Sequence, residues 1–304
     1  MTAVFPELFS GNTPIGEFFR PPTLLLFIVA YGLPILVIRE WAVRRGTGWF
    51  GIFVMGLGYG LVNEGVFART IFRETGVPID TFDRYSYAFG VNWGWAAFIA
   101  TWHAVASVLL PIALSERLFP ARGPWFGRRG LALLSMLVLL TGSAFFLIIG
   151  RWVDEAALGA VENDGVVLIA LWAVILGLWW LGSRITRQGQ GGTARLWPFL
   201  LGLTGVAGFI AAAIPSDQGW PVPTTFLILG VLIALYTAAF RWGRIGAPIP
   251  LGWFAFGWYL QVAALSWTAI AATAPLTVLA DILLLGVVFA VARQGIPYPA
   301  ARNT

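Results

Sequence analysis

The sequence predicts an all-α fold, a polytopic helical membrane bundle of about nine transmembrane helices with the N-terminus outside and the C-terminus in the cytoplasm. Three observations carry that expectation. Of 304 residues, 59% are hydrophobic and 11% are charged, against about 45–50% and about 25% in an ordinary soluble domain. The apolar residues gather into nine runs, each near the roughly 20 residues that cross a bilayer as a helix. Arginine, finally, is concentrated in alternate connections between those runs.

In chain order the runs are 23–38, 49–72, 91–114, 131–150, 165–182, 196–214, 224–240, 251–272 and 275–292, bounded by charges or by Pro and Gly clusters. The residues ahead of the first run include Glu7, Glu17 and Arg20 and lack a basic leader followed by a small-residue cleavage site, so they do not read as a signal peptide. Phe5, Phe9, Phe18 and Phe19 suggest an interfacial segment instead. The connection 69–90 mixes both charges with Phe82, Tyr85, Tyr87 and Phe89 and is expected to fold back over the second and third helices. The stretch 183–195, with Gly189, Gly191 and Gly192, reads as a flexible cytoplasmic linker. It divides a single integral membrane domain, 1–304, into five helices (1–182) and four (196–304). Neither half visibly repeats the other, which lends no support to an inverted-repeat transporter.

Orientation follows from the arginines. Arg39, Arg44 and Arg45, then Arg117, Arg122, Arg128 and Arg129, then Arg184, Arg187 and Arg195, then Arg241 and Arg244, and last Arg293 and Arg302 put 14 of 19 on one side. Glu74, Asp80, Asp83, Asp154, Glu155, Glu162, Asp164 and Asp217 lie on the other. The positive-inside rule makes the arginine side cytoplasmic, in a multi-pass protein of the cell membrane. The net charge of +5 then needs no nucleic acid; the expected partners are the lipid bilayer and a small molecule or membrane-embedded substrate.

Composition also removes mechanisms. There is no Cys and no Lys, and His103 is the single histidine. A two-His haem cannot be built, and zinc sites lack their usual ligand sets. Without Lys there is no retinal or pyridoxal Schiff base and no Walker lysine, which excludes a photoreceptor and an ATPase of that type. No metal and no cofactor is expected. The run Gly56-Leu57-Gly58-Tyr59-Gly60 lies inside an apolar helix and so reads as close helix packing, not as a phosphate loop. Many of the 16 tryptophans suit interfacial belts, Trp49, Trp93, Trp95, Trp125, Trp152, Trp197 and Trp220 among them. Trp253, Trp258 and Trp267 run through the eighth span and are expected to face lipid, with a groove for a lipid-like ligand as the alternative.

Ionisable groups inside spans are costly and point to function or to tight pairing. Glu64, Arg69, His103 and Asp281 qualify. Gly56, Gly60, Glu64 and Ala68 recur at intervals of four, so a small-residue face carries the carboxylate towards a neighbouring helix. Ala96, Ala100, His103 and Ser107 share a face of the next span, at a depth that makes contact with Glu64 plausible. Arg69 lies about 140° round the helix from Glu64, with a side chain long enough to return towards it. Asp281 lies in the outer third of the ninth span and has Arg69 or Arg151 as possible partners. Each group also has a plainer reading: Glu64 with Arg69 or His103 as a polar clamp, His103 with Ser107 as a satisfied core pair, Asp281 as structural. Asn63, Asn92 and Gln261 complete the possible ligand-binding set, as groups that orient the others.

Glu64-Gly65-Val66-Phe67-Ala68-Arg69, followed 39 residues after Glu64 by His103 in Ile99-Ala100-Thr101-Trp102-His103, resembles the first two motifs of the CPBP intramembrane proteases, the type II CAAX-processing and bacteriocin-processing family. That family has Glu-Glu-x-x-x-Arg, then Phe-x-x-x-His, then His-x-x-x-Asn or Asp. Gly65 stands at the second Glu, Ile99 at the Phe, and a chain with one His has no third motif. The resemblance implies that Glu64 activates a water with His103 assisting and Arg69 orienting the carboxylate, in a weak or inactive protease-like protein. Read from the residues themselves, Glu64, Arg69 and His103 suit small-ligand binding or a proton-linked permease. A CPBP-like hydrolase and a non-catalytic scaffold or complex subunit are the alternatives.

Overall fold

A computed structural model describes Glu7 and residues 13–74, 82–119, 123–149, 164–186, 193–241, 248–270 and 275–295. Eight helices are long and apolar enough to cross a membrane: Pro21–Arg45 (α1), Trp49–Phe67 (α2), Trp93–Leu118 (α3), Arg128–Leu147 (α4), Gly165–Ser183 (α5), Leu196–Asp217 (α6), Pro223–Phe240 (α7) and Leu276–Gln294 (α9). Between the last two lies Pro248–Ile270 (α8), a 23-residue helix in which Trp253, Trp258, Tyr259 and Gln261 lower the mean hydropathy. The bundle is therefore all-α, and each expected run has its helix. The expected linker residues 187–192 lie outside the described residues.

Helix ends follow local chemistry. Pro21 and Pro22 open α1, where a missing N–H costs nothing. Gly46 closes it at φ 62°, in the left-handed region that glycine enters freely. Inside α1, Pro34 has no N–H to offer the carbonyl of Ala30, and the Tyr59 hydroxyl donates to that oxygen at 3.2 Å.

The first span is longer than the apolar run suggests. Arg39 and Glu40, expected in a cytoplasmic connection, are helical and buried, at 3% and 0% exposure. Hydropathy alone stops the helix at the first charge, but these two charges neutralise each other and so remain inside.

The centre of the molecule is α2 with α3, the two spans most enclosed by protein. They approach through the small-residue faces. A Cβ on Gly60 would lie 2.4 Å from Ala100 Cα, and one on Gly56 2.7 Å from Ala104 Cα. Since the obstacle is backbone, Gly60→Val is expected to destabilise the bundle by about 1–3 kcal/mol. Gly177→Ala, where a Cβ meets nothing within 4 Å, should be neutral or slightly stabilising. Thermal unfolding of the purified variants in one detergent measures both.

The helices α1, α4 and α5 surround α2 on one side, while α6 and α7 flank α3 and α8 packs between α6 and α9. The α6–α8 crossing is glycine-mediated, Gly202 against Phe254 O and Gly257 against Phe199 O. Trp258 therefore faces protein, not lipid: it is fully buried among Trp102, Phe209, Tyr236 and Phe254. Trp49 and Trp95 are likewise buried, whereas Trp93, Trp125, Trp197 and Trp220 are exposed near helix ends as an interfacial belt requires. The connection from α2 to α3 ends in a small antiparallel hairpin, Tyr87–Ala88 (β1) with Val91–Asn92 (β2). Phe82 tucks it against Trp95 and Phe98 of α3.

Candidate functional site

The polar residues of three helices meet where each helix departs from regular α geometry. Ile28–Gly32 in α1, Val62–Phe67 in α2 and Ala104–Leu109 in α3 are π-helical turns. Such turns insert a residue, cost regular hydrogen bonding, and cluster at functional sites. Tyr31, Asn63, Glu64 and Ser107 sit within them and His103 immediately precedes the third.

At the centre, His103 Nε2 lies 3.0 Å from Glu64 Oε1. His103 Nδ1 is 2.6 Å from Ser107 Oγ. Asn63 Nδ2 lies 3.1 Å from His103 Nε2, 3.3 Å from Glu64 Oε1 and 3.2 Å from the Tyr31 hydroxyl, to which it donates. Tyr31 in turn donates to Glu7 Oε1, which ties the segment ahead of α1 to the site. Thr70 Oγ1 donates to Glu64 Oε2, and the Trp95 indole N–H donates to Thr70 Oγ1 at 2.9 Å. The rings of Tyr31 and Tyr59 wall the imidazole, at 6.2 and 5.7 Å between centroids. The side chain of His103 is 4% exposed and that of Glu64 is 13% exposed, so the pair is almost fully enclosed by protein.

The indole is a donor only, so the Trp95 bond fills one lone pair of Thr70 and leaves the Thr70 hydrogen able to reach Glu64 Oε2. Two bare acceptors at 3.0 Å repel, so a hydrogen lies between His103 Nε2 and Glu64 Oε1, carried by the imidazole or by the carboxyl. With it on Nε2, Nδ1 accepts from Ser107; with it on the carboxyl, Nε2 is an acceptor, which suits Asn63 Nδ2 at 3.1 Å. The site is thus a carboxyl–imidazole pair that shares one proton.

Thr70 is predicted to matter for the pair's geometry. Thr70→Val keeps the shape, removes a donor to Glu64 and orphans the buried Trp95 N–H; a loss of about 1–3 kcal/mol is expected. It is measured by unfolding together with the near-ultraviolet dichroism of Trp95.

The other residues expected in the site lie elsewhere. The helix ends before Arg69, which adopts φ 56°, so helical spacing does not describe its direction. Its guanidinium lies 4.7 Å from the Phe146 ring of α4 and donates to Phe146 O at 3.3 Å. Asn92 caps α3, accepting from Trp95 N at 3.2 Å and from Ser86 Oγ at 3.0 Å while donating to Phe82 O at 2.8 Å. Gln261 is half-buried on α8, and Asp281 is buried on α9, which packs along α8. Arg151 lies outside the described residues.

Four contributors were not evident from the sequence: Thr70, Trp95, Tyr31 and Glu7. Tyr31 left a signal, as the one phenol in the first apolar run. Arg73, beyond the end of α2, also senses the site: burial lowers its guanidinium from the ordinary value and the Glu64 carboxylate raises it.

A family model described as an uncharacterized membrane protein family matches residues 1–296. No curated protein and no solved structure matches the chain.

Proposed function

We infer that this chain, which belongs to that uncharacterized membrane protein family, is a permease-like protein of the cell membrane in which Glu64 and His103 exchange a proton as a small ligand binds. The chain is a multi-pass membrane protein with buried charged residues. The 3.0 Å contact of His103 Nε2 with Glu64 Oε1 carries the proposal. Imidazole is the side chain suited to exchanging a proton near neutral pH, and a carboxylate held as acceptor by Thr70 and Asn63 is its natural counter-ion. The 13% of the Glu64 side chain that stays exposed is where a ligand or proton would reach the pair. On this reading Tyr31, Asn63 and Ser107 hold the two groups in register, and Asn92, Gln261 and Asp281 act in the fold.

The test uses protein reconstituted in liposomes with a trapped pH-sensitive dye and a panel of small organic acids, amines and neutral metabolites added outside. At least one class is expected to change the internal pH, at a rate that Glu64→Gln abolishes. Internal pH traces identical for wild type and Glu64→Gln across the panel would sink the proposal.

The same contact favours a second reading, a CPBP-like hydrolase in which Glu64 and His103 act together on one water. In it Thr70, not Arg69, orients the carboxylate. Cleavage of a membrane-embedded peptide by wild type and not by Glu64→Gln would establish that reading; equal peptide recovery from both removes it.

A further inference from the structure

We propose a second binding site, between α1 and α3 at the arginine-rich face, that takes an ammonium group on a small apolar body. Two helix stripes build it. Gly32, Ile35, Leu36 and Arg39 of α1 recur at three-, four- and seven-residue spacing and face Ile112, Ser115 and Glu116 of α3. With Trp125 they line a cavity of about 130 Å³. An apolar cavity of about 150 Å³ accommodates a benzene-sized molecule, so this one takes a body of about that size or a little smaller.

The polar end of the cavity is a charge cluster. Arg39 donates from Nε to Glu116 Oε1 at 2.7 Å, from Nη1 to Glu40 Oε1 at 2.5 Å and from Nη2 to Gly123 O at 3.2 Å. Its guanidinium lies 4.0 Å over the Trp125 ring. Glu40 is fully engaged: Oε1 also accepts from Trp125 N at 2.9 Å, Oε2 accepts from Phe126 N at 3.3 Å, and Arg44 lies 3.8 Å away. Glu116 differs. Its side chain is 2% exposed and Oε1 is paired with Arg39; Oε2 accepts no hydrogen bond among the described residues and is not one of the fully enclosed unpartnered atoms, so a molecule in the cavity that Glu116 lines can reach it.

A carboxylate oxygen open to a mostly apolar cavity is best met by a donor that the occupant brings. Arg39 is shared between both carboxylates while Arg44 stands beside Glu40, so among the described residues Glu116 has a shared guanidinium alone, and the donor that best completes it is a cation. The rest of the wall, Ile35, Leu36 and Ile112, favours carbon. An ammonium on a short apolar body meets both demands. Its source is either a soluble amine or the headgroup of an aminophospholipid; for the latter, Arg44, Arg45 and Arg117 near the ends of the same two helices supply partners for the phosphate.

The experiment uses the full chain in phosphatidylcholine nanodiscs with two probes. The first is n-butylammonium, with n-butanol as the uncharged control, read as a concentration-dependent rise in Tm. The second is phosphatidylethanolamine mixed into the nanodiscs, read by native mass spectrometry as retention relative to phosphatidylcholine. Glu116→Gln should weaken whichever response appears by about tenfold. Because Glu116 also supports Arg39, a second variant keeps the cluster intact: Gly32→Leu fills the cavity from a position where an added Cβ meets nothing nearer than 3.9 Å. A butylammonium response lost in both variants supports the site with a soluble amine as ligand. Selective retention of phosphatidylethanolamine lost in both supports it with the lipid headgroup. Wild type and both variants alike towards both probes, or a response that survives in Gly32→Leu, overturns it.

Discussion

Glu64→Gln is expected to leave the bundle folded to within about 1 kcal/mol and to abolish proton exchange at the site, while His103→Ala is expected to cost about 3 kcal/mol of stability. The asymmetry follows from the hydrogen-bond count. A glutamine at position 64 can turn its amide oxygen to Thr70 and its NH₂ to His103 Nε2, and His103 then carries its hydrogen on Nδ1 and donates to Ser107. The bond from Asn63 to Oε1 is lost, the Thr70 and His103 partners survive, and the counter-ion is gone. Alanine at position 103 instead leaves the Glu64 carboxylate, 13% exposed, without its imidazole. The cost stays near the lower end of the range for broken buried pairs because Thr70 and Asn63 still donate to it. Unfolding in detergent and the liposome pH assay together separate the outcomes. If the groups serve only as a clamp, the two variants will order by stability and neither will alter internal pH relative to wild type.

What the sequence made legible, and what it did not, divides along physical lines. Apolar run length is summed over many residues, so single exceptions do not disturb it, and a helix stands over each expected run. The meeting of α2 and α3 was legible for a similar reason: Gly56, Gly60, Ala96 and Ala100 repeat at helical spacing, and their size lets the backbones approach. That repeat also aimed Glu64 and His103 at each other.

The failures concern features with no periodic trace. Arg69 lies just past the end of α2 in a left-handed conformation, where helical spacing no longer describes its direction. Thr70 enters through a backbone turn that no spacing encodes. Trp258 was expected to face lipid, yet glycines at 202 and 257 bring α6 and α8 together, and Trp258 packs in the protein interior beside that crossing. Arg39 and Glu40 read as a helix boundary because a charge was weighed singly, without the partner Glu116 that lies 77 residues further along the chain.

That cluster carries the other large effect. Arg39→Met should destabilise the protein by about 3–5 kcal/mol, since it strands Glu40 and Glu116, whose side chains are 0% and 2% exposed, beside each other with Arg44 as the remaining cation near Glu40. Replacing the whole set, as Arg39→Met with Glu40→Gln and Glu116→Met, removes the stranded charges together with the ion pairs, and most of the lost stability should return; the glutamine still accepts from the Trp125 or Phe126 backbone N–H. Thermal unfolding of the single and triple variants in one detergent checks the pair of expectations. A triple variant no more stable than Arg39→Met would mean that the cluster's geometry, not charge compensation, holds α1 to α3. A triple variant that regains stability makes the ion pairs dispensable for folding, and the buried charges of Arg39 and Glu116 are then better explained by what they hold in the cavity between them.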